Sequence, residues 1–301
     1  MILCAGEALI DMLPRTSTEG EGAFAPVAGG SVFNTAIALG RLGQDVAMFT
    51  GLSSDLFGDI LKDTLAASHV DATPAAVSDR PTTLAFVKLT DGHAEYAFYD
   101  ENTAGRMLTT DDLPSVQADA LFFGGISLVV EPCGAAYEAL MLREAPRCLT
   151  MMDPNIRPGF ITDEAAYRAR LGRMMQVADI IKTSDEDLDW IAPGADAASL
   201  LDGTDTRIVL LTRGAAGITI VTRDGSFDVP AQKATVVDTV GAGDTFSAGF
   251  MAGLAEAGHL TKTALGHAGR DVLTAAAELG AKAAAITVSR AGANPPWRKE
   301  L

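Results

Sequence analysis

The sequence predicts an α/β fold: a central, mostly parallel sheet covered by helices on both faces, with a small β-sheet attached. Three observations predict it. Short apolar runs such as "ALFFGG", "CLTMMD", "ADIIKT" and "RIVLLTRG" alternate with helical patterns along most of the chain, as strands buried on both faces do. That rhythm breaks once, at "TTLAFVKLTDGHAEYAFYD", where two alternating segments flank a turn signal and no helix separates them. The length, 301 residues with 48% hydrophobic content, suits one large domain with a substantial core.

Taken in order, "MILCAGEALIDML" reads as a first strand ending near Asp11. "GGSVFNTAIALGRLG" reads as a helix with Ser31 as N-cap and Gly43 closing the end, since Ile37 follows Phe33 by one turn. "VAMFTG" is a short buried strand and "DLFGDILKDTLAAS" an amphipathic helix. The hairpin at 82–100 stands apart from the parallel sheet, and residues 14–28 are expected to pair with it as an irregular strand. Helices are expected over 131–144 and 163–176. "GITIVT" and "GSFDVP" form a second hairpin, and two helices follow, over 244–257 and 261–284. No repeat or linker divides the chain, so residues 1–301 are read as a single domain. Ligands in such folds bind beyond the carboxyl ends of the strands.

Composition narrows the function. The net charge is −16 and the pI about 4.5, so the surface repels nucleic acid and anionic membranes. No apolar run approaches the length of a bilayer span. The opening residues lack the basic region and cleavage site of a signal peptide. Cys4, Cys133 and Cys148 have no metal-ligand spacing and read as small buried thiols in a reducing, cytoplasmic compartment.

One stretch concentrates the chemistry. In "DTVGAGDTFSAGF" the segment "GAGD" follows an apolar strand-like run and opens a helix whose Phe246, Phe250 and Leu254 share a face. The first amides of a helix have no internal partner, and the dipole is positive there. Gly241, Ala242 and Gly243 can therefore hold an anion close to the backbone. Asp244 has two readings when taken alone. An acid in a first turn caps free amides; it can equally accept a proton from a substrate hydroxyl while those amides meet a phosphoryl group. The segment lacks the lysine and hydroxyl pattern of a Walker loop.

"DTVGAGDTFSAGF" and "GGSVFNTAIALGRLG" closely resemble the two signatures of the ribokinase-like (PfkB) carbohydrate kinases, in the order that family carries them. The resemblance runs from about residue 2 to residue 298 and implies the family's three-layer sandwich with a small β lid. It implies transfer of the γ-phosphoryl of ATP to a sugar hydroxyl, with Mg²⁺. Asp244 matches the catalytic base, and Gly241, Ala242 and Gly243 the anion hole. Asp11 matches the acid that binds sugar hydroxyls, Gly29 and Gly30 the pair that admits sugar to the backbone, and Asn34 the amide that bonds sugar oxygens. "KTSDEDL" occupies the family's Asn-x-x-Glu motif, with Ser184 for the asparagine and Asp187 for the glutamate. Asp187 is then expected to meet Mg²⁺ through water. Thr212 and Gly214 match the Thr-x-Gly nucleotide motif. Asp238 matches an acid at a K⁺ site that Val240, Thr287, Arg290 and Gly292 would complete with backbone carbonyls; Pro296 stands where some relatives carry a serine ligand. Relatives often pair through the lid, which implies a homodimer.

An anionic nucleotide in so acidic a chain needs cations. Arg157 in "DPNIRP" follows a buried strand, and Arg106 in "ENTAGRML" follows the hairpin; both are candidates to reach the sugar or a phosphate. Lys182 and Arg213 are further candidates on the nucleotide side. "GEALIDMLP" with "DPNIRP" most resembles bacterial fructokinases, which implies D-fructose as acceptor, at its 6-hydroxyl. The alternatives are 2-keto-3-deoxygluconate kinase, ribokinase or, in a different class, a sugar-binding regulator with weak catalysis. A dinucleotide oxidoreductase would need a Gly-x-Gly-x-x-Gly fingerprint after the first strand, which is missing.

Overall fold

In a computed structural model the chain places β1 (Ile2–Ala5) at the heart of a nine-stranded sheet. The structure describes residues 1–90, 93–115 and 117–301, with side chains for all of these except 88–90 and 93–96. β1 is buried on both faces, and the chain then leaves the sheet at residues 6–8. β2 (Leu9–Thr16) and β3 (Gly22–Gly29) form an antiparallel hairpin in a second sheet. The single first strand read from the sequence is thus two strands in two sheets, and Asp11 lies inside β2 rather than at the end of β1. The break has a packing cause. A side chain at Gly6 would lie 2.4 Å from the Val32 Cγ2, so the chain turns there against α1 (Ser31–Arg41).

The N-cap of α1 is Gly30, with φ 111°, rather than Ser31, which is the first helical residue. Gly43, at φ 84°, follows the last turn as expected. β4 (Val46–Phe49) pairs with β1. The next elements include three short strands that the sequence did not announce: β5 (Gly51–Ser53), β6 (Val70–Asp71) and β7 (Ala76–Ser78). Between them α2 (Leu56–Ala67) starts at Asp55, whose carboxylate accepts from the amides of Phe57 and Gly58. β8 (Leu84–Thr90) and β9 (His93–Tyr99) complete the small sheet in the order β3-β2-β8-β9. The expected turn between them contains residues 91 and 92, which lie outside the described residues.

The alternation then resumes with β10 (Ala120–Gly124), α3 (Cys133–Glu144), β11 (Leu149–Asp153), α4 (Glu164–Val177), β12 (Ile180–Ser184), α5 (Asp185–Ile191) and β13 (Ile208–Thr212). β14 (Ile218–Thr222) and β15 (Gly225–Val229) are the antiparallel hairpin. The large sheet runs β15-β14-β13-β12-β11-β10-β1-β4-β6, parallel from β13 to β6. After it come α6 (Ala242–Glu256), α7 (Lys262–Leu265) and α8 (Arg270–Val288). The second terminal helix expected over 261–284 is therefore interrupted. Gly266 caps α7 and Gly269 starts α8, while the Lys262 amine reaches 2.6 Å to the buried Asp179 carboxylate.

Alternate residues of each strand face opposite cores. Ile2 and Cys4 join the layer built on α1, α2, α6 and α8, whereas Leu3 and Ala5 join the layer of α3 and α4. The sheet is thus a three-layer sandwich. Among the described residues no helix is long and apolar enough to cross a membrane.

Candidate active site

The parallel strands end on one edge of the sheet, and there a cavity of about 900 Å³ opens between that edge and the small sheet. It is lined from β2 by Asp11, from α1 by Ser31 and Asn34, from β12 by Lys182 and from α6 by Asp244.

Asp244 is buried in the first turn of α6. It caps nothing in its own helix. Its Oδ1 accepts from the Ser31 hydroxyl at 2.7 Å and its Oδ2 from the Asn34 amide at 2.9 Å. Burial pushes its pKa up to about 6, against the pull of these two donors; Asp153 adds to the rise and Lys182 opposes it. A carboxylate poised there can accept a proton near neutral pH.

The amides beside it suit an anion. Gly241 takes φ 75° as N-cap of α6, and a Cβ on it would lie 2.6 Å from the Ala293 Cβ, so only glycine fits. Ala242 turns its N–H toward the Thr239 carbonyl at 3.3 Å, a long and weak bond. A Cβ on Gly243 would lie 3.0 Å from Lys182 Nζ, so that position keeps a buried cation against the turn. Lys182 is itself paired with Asp153 at 2.8 Å. Burial alone would lower its pKa; Asp153, then Asp187 and Asp244, outweigh burial and hold the amine above its usual range.

On the opposite wall the Asp11 carboxyl group has no hydrogen-bond partner among the described residues, and burial raises its pKa to about 6. A Cβ on Gly29 would meet Asp11 Oδ2 at 2.3 Å, and one on Gly30 would meet the Glu7 carbonyl at 2.8 Å. The two glycines thus make room for the Asp11 carboxyl group and for the Glu7 backbone. Arg157 lines the cavity and forms no ion pair among the described residues; its guanidinium donates to the Ile156 carbonyl. Arg106 is not brought to the cavity. It is held by Asp100 at 3.0 Å and by the Glu131 carbonyl at 3.1 Å.

Ser184, Asp187, Thr212, Arg213 and Gly214 gather on the far side of the same cavity. Ser184 caps α5 by accepting from the Asp187 amide, Thr212 donates to the Thr183 carbonyl, and Gly214 takes φ 51°. Asp187 Oδ1 accepts from the Ile156 amide, which leaves Oδ2 without a partner among the described residues. One carboxylate oxygen supplemented by water is a donor set that suits magnesium. Asp238 joins the loop before α6 to the loop after α8: it accepts from the amides of Val240 and Gly292. The carbonyls of Thr287 and Gly292 already accept from the amides of Arg290 and Asn294. Among the described residues no three His, Cys, Asp or Glu side chains are grouped to hold a metal.

Sequence reasoning missed four residues here. Glu7 is buried and accepts from the amides of Ser31 and Ser127; burial raises its pKa to about 7. Ser31 was read as a helix cap, yet its hydroxyl serves Asp244. Asp153 and Asn155 belong to "DPNIRP", from which only Arg157 was singled out. The signal was present in that motif, since polar residues directly after a buried strand face the ligand edge of such a sheet.

The family model for the pfkB family carbohydrate kinases matches residues 1–300. The chain belongs to that family. It is a phosphotransferase acting on a sugar hydroxyl. Relatives include the fructokinase of Rhizobium leguminosarum bv. trifolii, 55% identical over 267 residues that span 87% of this chain and 82% of that one. The fructokinase of Salmonella typhimurium is 32% identical, spanning 98% and 96%. Among solved structures, fructokinase with bound ATP from Xylella fastidiosa aligns with a TM-score of 0.86 and 29% identity, over 97% of this chain and 93% of that one.

Proposed function

We propose that the protein transfers the γ-phosphoryl of ATP to D-fructose, at the 6-hydroxyl. The observation that carries this reading is Asp244, a buried carboxylate beside the glycine turn at the start of α6 and facing the same cavity as Asp11 and Lys182. The identity to curated fructokinases supports the choice of sugar.

Asp11 and Asn34 hold the sugar, with Asp11 accepting from its hydroxyls. Asp244 takes the proton from the attacking hydroxyl as the oxygen closes on phosphorus. The amides of Gly241, Ala242 and Gly243, with Lys182 behind them, meet the charge on the transferring group, and positioning supplies most of the remaining acceleration. Ser184, Asp187, Thr212 and Gly214 form the nucleotide side. Asp187 would hold Mg²⁺ through water, and the ion would supply charge neutralisation for the phosphates. A K⁺ site at Asp238 and the carbonyls of Val240, Thr287, Arg290 and Gly292 belongs to the same reading. So does the closing of residues 14–28 and 82–100 over the sugar as a lid within a single domain. Phe24 and Tyr99, exposed on the small sheet, favour a homodimer through it. The work of such an enzyme lies in the cytoplasm, where ATP is available.

Arg157, a cation on the cavity wall with no ion-pair partner among the described residues, favours one second reading, an acidic acceptor such as 2-keto-3-deoxygluconate. A coupled ADP-release screen of fructose, ribose, 2-keto-3-deoxygluconate and nucleosides separates the two. Fructose is expected to give the highest kcat/KM; a far higher value for another acceptor would replace it. Sugar binding without ADP release would make the protein a regulator instead.

A further inference from the structure

We propose that Ser31 is a positioning residue for Asp244: its hydroxyl, itself held by Asn155, clamps one oxygen of the base and keeps that carboxylate ionised. The inference rests on Asp244 as the base of the reaction above. Three segments meet at Ser31. The Asn155 amide nitrogen lies 2.8 Å from Ser31 Oγ, Ser31 Oγ lies 2.7 Å from Asp244 Oδ1, and the Ser31 amide donates to Glu7 Oε1 at 2.8 Å.

The direction of the chain follows from chemistry. An amide nitrogen only donates, so Ser31 Oγ accepts from Asn155 and its own proton goes to Asp244. The reverse amide orientation would draw that proton to Asn155 and leave two acceptor oxygens 2.7 Å apart. Asn155 is held at φ 46°, a left-handed conformation uncommon outside glycine. Ser31 is the first residue of α1 and makes no capping bond of its own, so its hydroxyl is free for this task. Gly30, at φ 111° against the Glu7 carbonyl, sets the backbone that aims it.

The groups facing Asp244 are few. From α1 come two neutral donors, Ser31 on Oδ1 and Asn34 on Oδ2. β11 supplies the charge of Asp153, which disfavours ionisation, and β12 that of Lys182, which favours it. Glu7 acts one hydrogen bond away, through the Ser31 amide. Among the described residues Ser31 therefore supplies one of two direct hydrogen bonds to a carboxylate that burial works to protonate.

The test uses the full chain with ¹³C-labelled aspartate, which leaves Glu7 silent, and follows the Asp244 carboxyl by NMR against pH alongside kcat/KM for the sugar. Ser31→Ala is expected to move the Asp244 midpoint upward by about one unit. The acid limb of kcat/KM should move with it, a loss of about tenfold at pH 5 and about twofold at pH 7. KM for ATP should stay unchanged. Asn155→Gly keeps the left-handed backbone but removes the amide, and should give a smaller shift in the same direction. An Asp244 midpoint unmoved in Ser31→Ala overturns the proposal. Because the NMR arm needs no turnover, it decides the role of Ser31 even if fructose proves the wrong acceptor.

Discussion

Asp244 sits between two opposed forces. Burial favours its neutral acid, while Ser31 and Asn34 favour its anion, and the balance leaves a carboxylate that is ionised at neutral pH yet basic enough for the proposed proton transfer. Asp244→Asn removes the proposed base while keeping the shape. Both neighbours donate to Asp244, so the new amide nitrogen must face one of them, and a single hydrogen bond is lost locally. The expected result is sugar binding within a few-fold of wild type by calorimetry and a fall in kcat of about 10²–10⁴-fold. Turnover retained near wild type would remove Asp244 from its role. At this scale the sequence was informative where the chemistry is local. "GAGD" places donors and acid within one turn, and the structure keeps them together. Ser31 and Glu7 were illegible for the opposite reason: Ser31 meets Asp244 across 213 positions and Glu7 across 24. A side chain read within its own helix looks like a cap, and only the fold reveals what it faces.

Helix α6 carries Asp244, and its seat depends on how closely it approaches α8. A Cβ on Gly249 would lie 2.6 Å from the Gly280 Cα, and one on Gly253 would lie 2.6 Å from the Ala276 Cα. Those obstacles are backbone atoms, so the helices would have to separate. Gly249→Ala is expected to lower unfolding stability by about 1–3 kcal/mol in urea titrations. Gly172→Ala, in α4 with nothing within 4 Å of the added atom, should instead raise it by about 0.5–1 kcal/mol, because alanine loses less entropy in a helix. Equal effects from the two variants would mean that propensity, not close packing, governs α6. The elements readable from sequence were helices long enough for a period to repeat, such as α2, α3 and α4, and strands marked by a short apolar run, such as β10 to β13. β5, β6 and β7 have two or three residues each, too few to show alternation. The joined reading of β1 and β2 failed because both strands are apolar and the glycine between them looked like an ordinary interruption. What breaks the strand is Val32, which is not its neighbour in sequence.

Across the molecule, the site is a place where the chain gives up stability for function, and pH should expose it. Glu7, Asp11 and Asp244 titrate at about 7, 6 and 6, each raised first of all by burial. A carboxyl raised in this way binds its proton more tightly folded than unfolded. Between its unfolded and folded pKa values the native state holds more protons, so stability falls as pH rises through that window and levels above it. The midpoint of thermal unfolding should therefore decline from about pH 4.5 to pH 7 and flatten beyond. Asp55 and Glu138, which their hydrogen-bond partners hold below the ordinary carboxylate range, act with the opposite sign, but only at lower pH. A net charge of −16 offers a rival cause, because deprotonation also increases self-repulsion. Salt separates the two. At about 1 M the screening length is roughly 3 Å, which suppresses repulsion between distant surface charges but leaves the desolvation of buried groups in place. The decline is expected to persist at high salt in the wild-type chain and to flatten in the triple variant Glu7→Gln, Asp11→Asn, Asp244→Asn. If salt alone abolished it, the instability would belong to the acidic surface, and the cavity would not be its source.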